Sequence, residues 1–423
     1  MQIDLSLFSG ECSCGKNHQI EVKEVIIESG ALKRLKPMFE RGILSGYRHP
    51  AIICDENTWE AAKDSLSEIL PMCTVISLNP QGLHANNEGV AVTEGQLTGE
   101  EDLILAVGSG TIHDLSRYVA YHHGIPFVSV PTAASVDGFV STVAAMTWDG
   151  MKKTMEAEAP LLVLADTEIF SKAPYRLTAS GVSDLLGKYT AVADWKISHI
   201  VTGEYLCERV CELEMEAVDK IYHCIDDLRE GKKEAYEELM YALLLSGLAM
   251  QMVGNSRPAS GAEHHMSHLW EMEVINDFID AYHGEKVSVG LLLVAERYEK
   301  IKNAILGGTC HVREQREDEE QLLIDTFGKK GLLDGVRAEN KEELLDEIDL
   351  EHLAKVLPDI AEVLAALPDY HTLKSVMERG GCKSTMEEIH LSRELKELSL
   401  RLSPYVRRRL TFIRISKLLE VSL

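Results

Sequence analysis

The chain has 423 residues, 45% of them apolar, and a formal net charge of −25. That length exceeds the roughly 250–300 residues at which a single core stops growing, so two domains are expected. The charge argues against a nucleic-acid-binding surface while leaving room for a local cationic pocket, and no window approaches the about 18 continuous apolar residues of a membrane span.

The N-terminal stretch MQIDLSLFSGECSCG carries acidic residues early and no basic run leading into an apolar core. It does not read as a secretion signal, so a cytoplasmic protein without stable membrane insertion is expected. Nine cysteines without regular spacing read as reduced thiols rather than a disulfide framework. Cys12, Cys14 and His18 are metal-ligand types, but Cys-x-Cys lacks a clear fourth ligand, and an incidental role is expected.

Short β-branched runs then alternate with helical or turn-rich segments: EVKEVIIE, HPAIICDENT, CTVISLN, EDLILAVGSG and GIPFVSVPT. This alternation predicts an α/β domain over residues 1–160, built on a parallel sheet. A mainly α-helical domain is predicted over 161–423, although LLVLAD at 161–166 can still be a strand of the first. YEELMYALLLSGLAMQMVG reads as a core helix that ends or bends at Gly254. The basic segment SPYVRRRLTFIRISKLL reads as a charged helix lining or covering a cleft.

Asp55 follows the run AIIC. A carboxylate there accepts hydrogen bonds from a nucleotide ribose, favouring NAD over NADP, or else caps the next helix. In LILAVGSGTIHDL, Gly108, Ser109 and Gly110 follow an apparent strand, where glycines let a backbone approach a pyrophosphate. A tight structural turn is the competing reading, because the complete G-x-G-x-x-G spacing is absent. VSVPTAASVDGF supplies a second polar loop after a strand.

Asp184 and Lys188 stand four apart in TASGVSDLLGKYT and share a face if the segment opens a helix, as site residues or as a surface ion pair. In PASGAEHHMSH, His264 and His268 share a face while His265 points elsewhere; His283 follows in DFIDAYHGEKVSVGLLL. Asp184, His264 and His283 can form a one-carboxylate, two-imidazole site for a divalent metal, with His268 orienting substrate or relaying a proton. Glu263 is either a partner to a ligating imidazole or a base. The H-E-x-x-H hydrolase arrangement is absent.

Together GSGTIHD, PTAASVDGF, SGVSDLLGK, SGAEHHMSH and YHGEKVSVG resemble, in order, the glycerol-1-phosphate dehydrogenase family of the iron-containing alcohol dehydrogenase and dehydroquinate-synthase-like superfamily. The likeness is greatest to the bacterial branch associated with arabinose operons. It implies reversible, NAD(P)H-dependent reduction of dihydroxyacetone phosphate to sn-glycerol 1-phosphate, a step toward phospholipid. It further implies a nucleotide-binding domain followed by a helical metal-binding domain. Asp184, His264 and His283 would be the ligands of one divalent metal per subunit, nickel or zinc before iron. Gly108, Ser109, Gly110 and Asp114 would hold the dinucleotide, NAD(H) with NADP(H) the alternative, together with Thr132, Ser135 and Asp55. Asp137 and Lys188 would stand near nicotinamide or substrate, and His268 on a proton path. Lys188 or Arg257 would attract the substrate phosphate. Some relatives carry a histidine where this chain has Val136, which removes that route for a proton. A homo-oligomer, with a dimer favoured, is also implied. A polyol dehydrogenase, a dehydroquinate-synthase-like lyase and a non-enzymatic nucleotide sensor are the competing functions.

Overall fold

A computed structural model describes residues 3–421. The chain folds as two units, Met1–Leu185 with Glu216–Asn255, and Leu186–Met215 with Ser256–Leu423.

The first unit is built on six strands: β1 (Glu24–Glu28), β2 (Pro50–Asp55), β3 (Thr74–Leu78), β4 (Leu103–Gly108), β5 (Phe127–Pro131) and β6 (Pro160–Asp166). They are ordered β1-β6-β5-β4-β2-β3, and every pairing is parallel. Because helices cover both faces, the inner strands are apolar without alternation. Ile52, Leu105, Val107 and Val130 pack on one side with Leu32, Leu35 and Phe39. Ile53, Ile104, Ala106 and Phe127 pack on the other with Ile112, Leu115 and Val119.

β6 contains LLVLAD and pairs with both β1 and β5. The sheet therefore continues past residue 160, and the first unit takes back residues 216–255 after the chain has left it. The join expected at 160/161 differs for that reason: strand pairing and helix packing, rather than chain order, decide membership. An antiparallel hairpin, Val143–Trp148 with Met151–Glu156, also belongs to this unit. Its turn places Asp149 and Gly150 at φ 51° and 78°, the two positive values a type I′ hairpin turn requires.

Eight helices position the residues of interest: α1 (Glu56–Leu66), α2 (Gly110–His123), α3 (Tyr175–Leu186), α4 (Lys188–Thr202), α5 (Glu208–Arg229), α6 (Lys233–Val253), α7 (Ala262–Glu271) and α8 (His283–Leu306). α6 ends at Gly254, the end-or-bend position expected from sequence, through a left-handed cap with φ 78°. Asp184 and Lys188 do not open one helix. Gly187 separates α3, which carries Asp184 in its last turn, from α4, which Lys188 begins.

The core of the second unit joins Val201 of α4, Met266 and Trp270 of α7, and Val294 and Tyr298 of α8 to Leu353, Ile360, Phe412 and Ile415. The basic C-terminal segment is not a single helix. It runs as a short 3-10 turn at Ser403–Tyr405, irregular chain through the arginines, a four-residue helix at Phe412–Ile415 and a strand at Leu419–Val421. Arg409 donates to the Ser256 and Ser260 carbonyls outside the segment, which suits irregular chain better than a solvated helix. Among the described residues, no helix is long and apolar enough to cross a membrane.

Candidate active site

In the first unit, β4 ends at Gly108 and α2 begins at Gly110, so the helix presents its unpaired amides directly after the strand. A Cβ on Gly108 would lie 2.4 Å from Cβ of Ile112, so only glycine permits this entry. Ser109 is the N-cap residue, and its carbonyl and the Ser129 hydroxyl engage the two ring nitrogens of buried His113 at 3.0 and 2.8 Å. Burial, reinforced by the Arg117 charge, pushes His113 down to about 3, so it is a neutral structural tie. Asp114 is half-buried, with a carboxylate oxygen 3.7 Å from Arg117 Nε.

Arg117 is fully buried, and no motif marks it because it stands mid-helix in α2. Its guanidinium donates to the carbonyls of Gly138, Ser141 and Val143, fastening the second polar loop to α2. In that loop Thr132 and Ser135 are buried. The Thr132 amide donates to the Gly108 carbonyl at 2.9 Å, bringing the two loops together. The Ser135 hydroxyl has no hydrogen-bond partner.

The Asp137 amide donates to Asp184 Oδ2 at 3.0 Å, and Asp137 Oδ2 accepts from the Ser246 hydroxyl at 3.0 Å. Two glycines allow this approach. A Cβ on Gly181 would stand 2.2 Å from the Ala134 carbonyl, and one on Gly247 would stand 2.6 Å from that of Asp137. Asp55 caps α1, accepting from the amides of Asn57 and Thr58 at 2.8 and 2.9 Å through the same oxygen, Oδ1.

In the second unit, α7 and α8 assemble the histidines. Ring centroids lie 5.2 Å apart for His264 and His283, 5.6 Å for His268 and His283, and 6.2 Å for His264 and His268. His264 Nδ1 lies 2.7 Å from Glu263 Oε1. His283 Nδ1 and His268 Nδ1 each lie 3.2 Å from an oxygen of Glu271. Glu271, which also pairs with Lys286 at 3.2 Å, belongs to no motif in the sequence. A signal for it does exist: it follows His264 by seven residues and His268 by three, one helix face.

Glu263 is fully buried. Burial pushes its carboxyl up, but bonds with His264, Thr190 and the Gly261 amide outweigh this and hold it below the usual range. Gly290 lets α8 meet α7, since a Cβ there would lie 2.7 Å from the Glu263 carbonyl. Asp194 accepts from the Ala262 and Phe412 amides at 2.8 Å each, anchoring the start of α7. Burial, with the Glu263 charge, pushes it up to about 7.

Lys188 is fully buried. Arg257 forms a bidentate ion pair with Glu204, 2.9 Å on each arm, and also bonds the Leu410 carbonyl. Its charge is therefore matched by Glu204. His265 is buried with neither ring nitrogen hydrogen-bonded, and the buried Ser260 hydroxyl is likewise unbonded. Burial and the charges of Arg409 and Arg407 hold His265 well below its ordinary value. Arg409 bonds Ser256 and Ser260, whereas Arg407 makes one long bond, 3.5 Å, to the Ser256 hydroxyl.

The family model for iron-containing alcohol dehydrogenases matches residues 26–174. A glycerol-1-phosphate dehydrogenase (NAD(P)+) from Bacillus licheniformis is 37% identical over 308 residues, which cover 70% of this chain and 76% of that protein. The chain belongs to the glycerol-1-phosphate dehydrogenase family. The Geobacillus stearothermophilus protein of the same name is 31% identical over 400 residues, 92% of this chain and 91% of its own. Among solved structures, glycerol dehydrogenase from Schizosaccharomyces pombe is 19% identical with a TM-score of 0.57, covering 89% of this chain and 96% of its own. Maleylacetate reductase from Agrobacterium tumefaciens is 13% identical with a TM-score of 0.61, covering 95% and 96%. These two share the fold of this glycerol-1-phosphate dehydrogenase family member.

The donor chemistry in the second unit fits a divalent metal. His264 and His283 each face a carboxylate at Nδ1, which leaves Nε2 as the coordinating atom and sets the ring's orientation.

Proposed function

We propose that the protein catalyses the reversible, NAD(P)H-dependent reduction of dihydroxyacetone phosphate to sn-glycerol 1-phosphate, with Asp184, His264 and His283 as the ligands of one divalent metal. Nickel or zinc is the expected ion and iron the alternative. The carboxylate-backed pair His264 and His283 carries this reading, within a family whose relatives bear that enzyme's name. Bound there, the metal would supply Lewis-acid polarisation of the substrate ketone.

The chain's own residues have separate tasks. Glu263 and Glu271 keep the Nδ1 atoms of His264 and His283 engaged, so that both rings hold one orientation. The Asp137 amide holds Asp184 through Oδ2. His268, with Glu271 at Nδ1, delivers a proton from Nε2 to the substrate oxygen as hydride arrives at carbon. Lys188 sets the charge near nicotinamide or substrate. Gly108, Ser109 and Gly110 seat the pyrophosphate at the start of α2, with Asp114, Thr132 and Ser135 beside it. Asp55 caps α1 through Oδ1 alone, leaving Oδ2 to accept from a ribose hydroxyl, which supports NAD(H) before NADP(H). A cytoplasmic homodimer serving phospholipid synthesis completes the proposal.

For the substrate phosphate we assign Arg407, positioned with Arg409, His265 and Ser260, beside the expected Lys188 or Arg257. Arg407 has five donors and makes one hydrogen bond among the described residues, and the charges of Glu339 and Glu271 act on it. Arg407→Ala is expected to raise KM for dihydroxyacetone phosphate about 10- to 100-fold, the value of one charge-assisted hydrogen bond at about 1.5–3 kcal/mol. Turnover of unphosphorylated dihydroxyacetone should be unchanged; an equal effect on both ketones would remove the assignment.

Chiral analysis of the reduction product, with nickel, zinc or iron loaded in turn and NADH compared with NADPH, tests the function itself. sn-Glycerol 1-phosphate is expected. Preference for dihydroxyacetone would instead identify a polyol dehydrogenase, and cofactor binding without turnover a sensor.

A further inference from the structure

We propose that Cys12, Cys14 and His18 bind a second divalent metal of the zinc class, independent of the Asp184, His264 and His283 set and structural in its role. The three side chains come from one small hairpin, in which Gly10–Glu11 pairs antiparallel with Asn17–His18. The turn between them is closed by the Cys12 amide on the Lys16 carbonyl and the Gly15 amide on the Cys12 carbonyl, both at 3.0 Å. Gly15 at φ 83° takes the left-handed conformation that reverses the chain. Cys12 and Cys14 therefore sit within one tight turn, facing the strand that carries His18.

One ligand atom from each residue, the two Sγ atoms and a ring nitrogen of His18, lies within 4.8 Å of the others. Cys14 Sγ and His18 Nε2 are 3.3 Å apart. A tetrahedral zinc with Zn–S of about 2.3 Å and Zn–N of about 2.0–2.1 Å places such a pair at about 3.5 Å.

An independent observation points the same way. Buried His18 has Nδ1 2.6 Å from the Met252 carbonyl. That carbonyl only accepts, so Nδ1 carries the proton and the Nε2 lone pair is turned toward the cysteines. An outer partner of this kind accompanies nearly every metal-ligating histidine. Two thiolates and an imidazole are soft, borderline donors that select zinc over magnesium or calcium. Binding releases the two thiol protons to solvent and leaves the ion's charge balanced; water or one further protein ligand fills the fourth position.

The metal would fasten the hairpin to the end of α6. Gln251, beside Met252, accepts from the Glu21 amide at 2.9 Å and donates to the Val140 carbonyl in the loop that carries Asp137. The pinned hairpin thus braces the helix end that supports this loop.

The test measures metal in the full-length protein, purified without a metal-chelating tag. Wild-type protein should hold one equivalent of zinc that a thiol-specific mercurial releases stoichiometrically. Cobalt substitution should produce a thiolate-to-cobalt charge-transfer band in the near ultraviolet, and the band should persist in His264→Ala. Cys12→Ser/Cys14→Ser should lose one equivalent of zinc and the band together. Wild-type protein without mercurial-releasable zinc and without the cobalt band would overturn the proposal, even if the cysteine variant failed to fold. So would a band that survives in the folded double variant.

Discussion

His264→Ala is expected to lose bound catalytic metal and dihydroxyacetone phosphate-dependent NADH oxidation together, with turnover down about 10³-fold or more. Removing the imidazole withdraws one ligand and also leaves Glu263 buried without the His264 partner that helps keep it ionised. Lewis-acid polarisation is worth several kcal/mol in the transition state, and each 1.36 kcal/mol is a factor of ten in rate. Metal analysis alongside steady-state kinetics checks the coupling. Normal turnover with stoichiometric metal in this variant would refute the assignment of His264. Glu263→Gln should behave differently, with metal affinity lower by about 10- to 100-fold and turnover recovered at high metal, because it disturbs only the orientation of the ligand.

The second large effect falls on stability. Arg117→Met should destabilise the first unit by about 3–5 kcal/mol, since three charge-assisted bonds are lost, the Ser141 carbonyl is left without a donor and those of Gly138 and Val143 keep only bonds from Ser141, while methionine fills most of the volume. A unit of this size shifts its melting temperature by about 2–4 °C per kcal/mol, so a fall on the order of 10 °C is expected in a thermal melt. The loop that carries Asp137 loses its tie to α2, so KM for the dinucleotide should rise as well. A melting temperature within about 2 °C of wild type would mean that backbone or water replaces the guanidinium.

Most of the chain's class was legible from its residues. Near-continuous apolar runs in β2, β4 and β5 announced strands buried on both faces, and GSG after LILAV marked where the sheet delivers a helix N-terminus. Gly254 marked the end of α6 because a left-handed cap has few alternatives. The hairpin at 143–156 was not read from the sequence: Asp149 and Gly150 are its turn signal, but its strands are short and polar on one side. The histidines of α7 were conspicuous, whereas Glu271 was hidden among ordinary helix-surface acids. The arginine-rich C-terminal segment misled for a related reason: its charges resemble a solvated helix, while Arg409 bonds the Ser256 and Ser260 carbonyls about 150 positions earlier.

Sequence alone determined the parallel α/β class, the order of the loops and the family, because these depend on local periodicity, glycine conformation and motif order. Tertiary structure decided the rest. It made Asp55 a helix cap, matched Arg257 with Glu204, buried His265 and gave each of His264, His268 and His283 a carboxylate partner. A side chain's role depends on which charges and hydrogen-bond partners surround it once water is excluded, and those partners come mostly from distant parts of the chain. Cys12, Cys14 and His18 are the plainest case: a weak spacing in the sequence became a convergent donor set only when the Met252 carbonyl turned the imidazole toward the thiols.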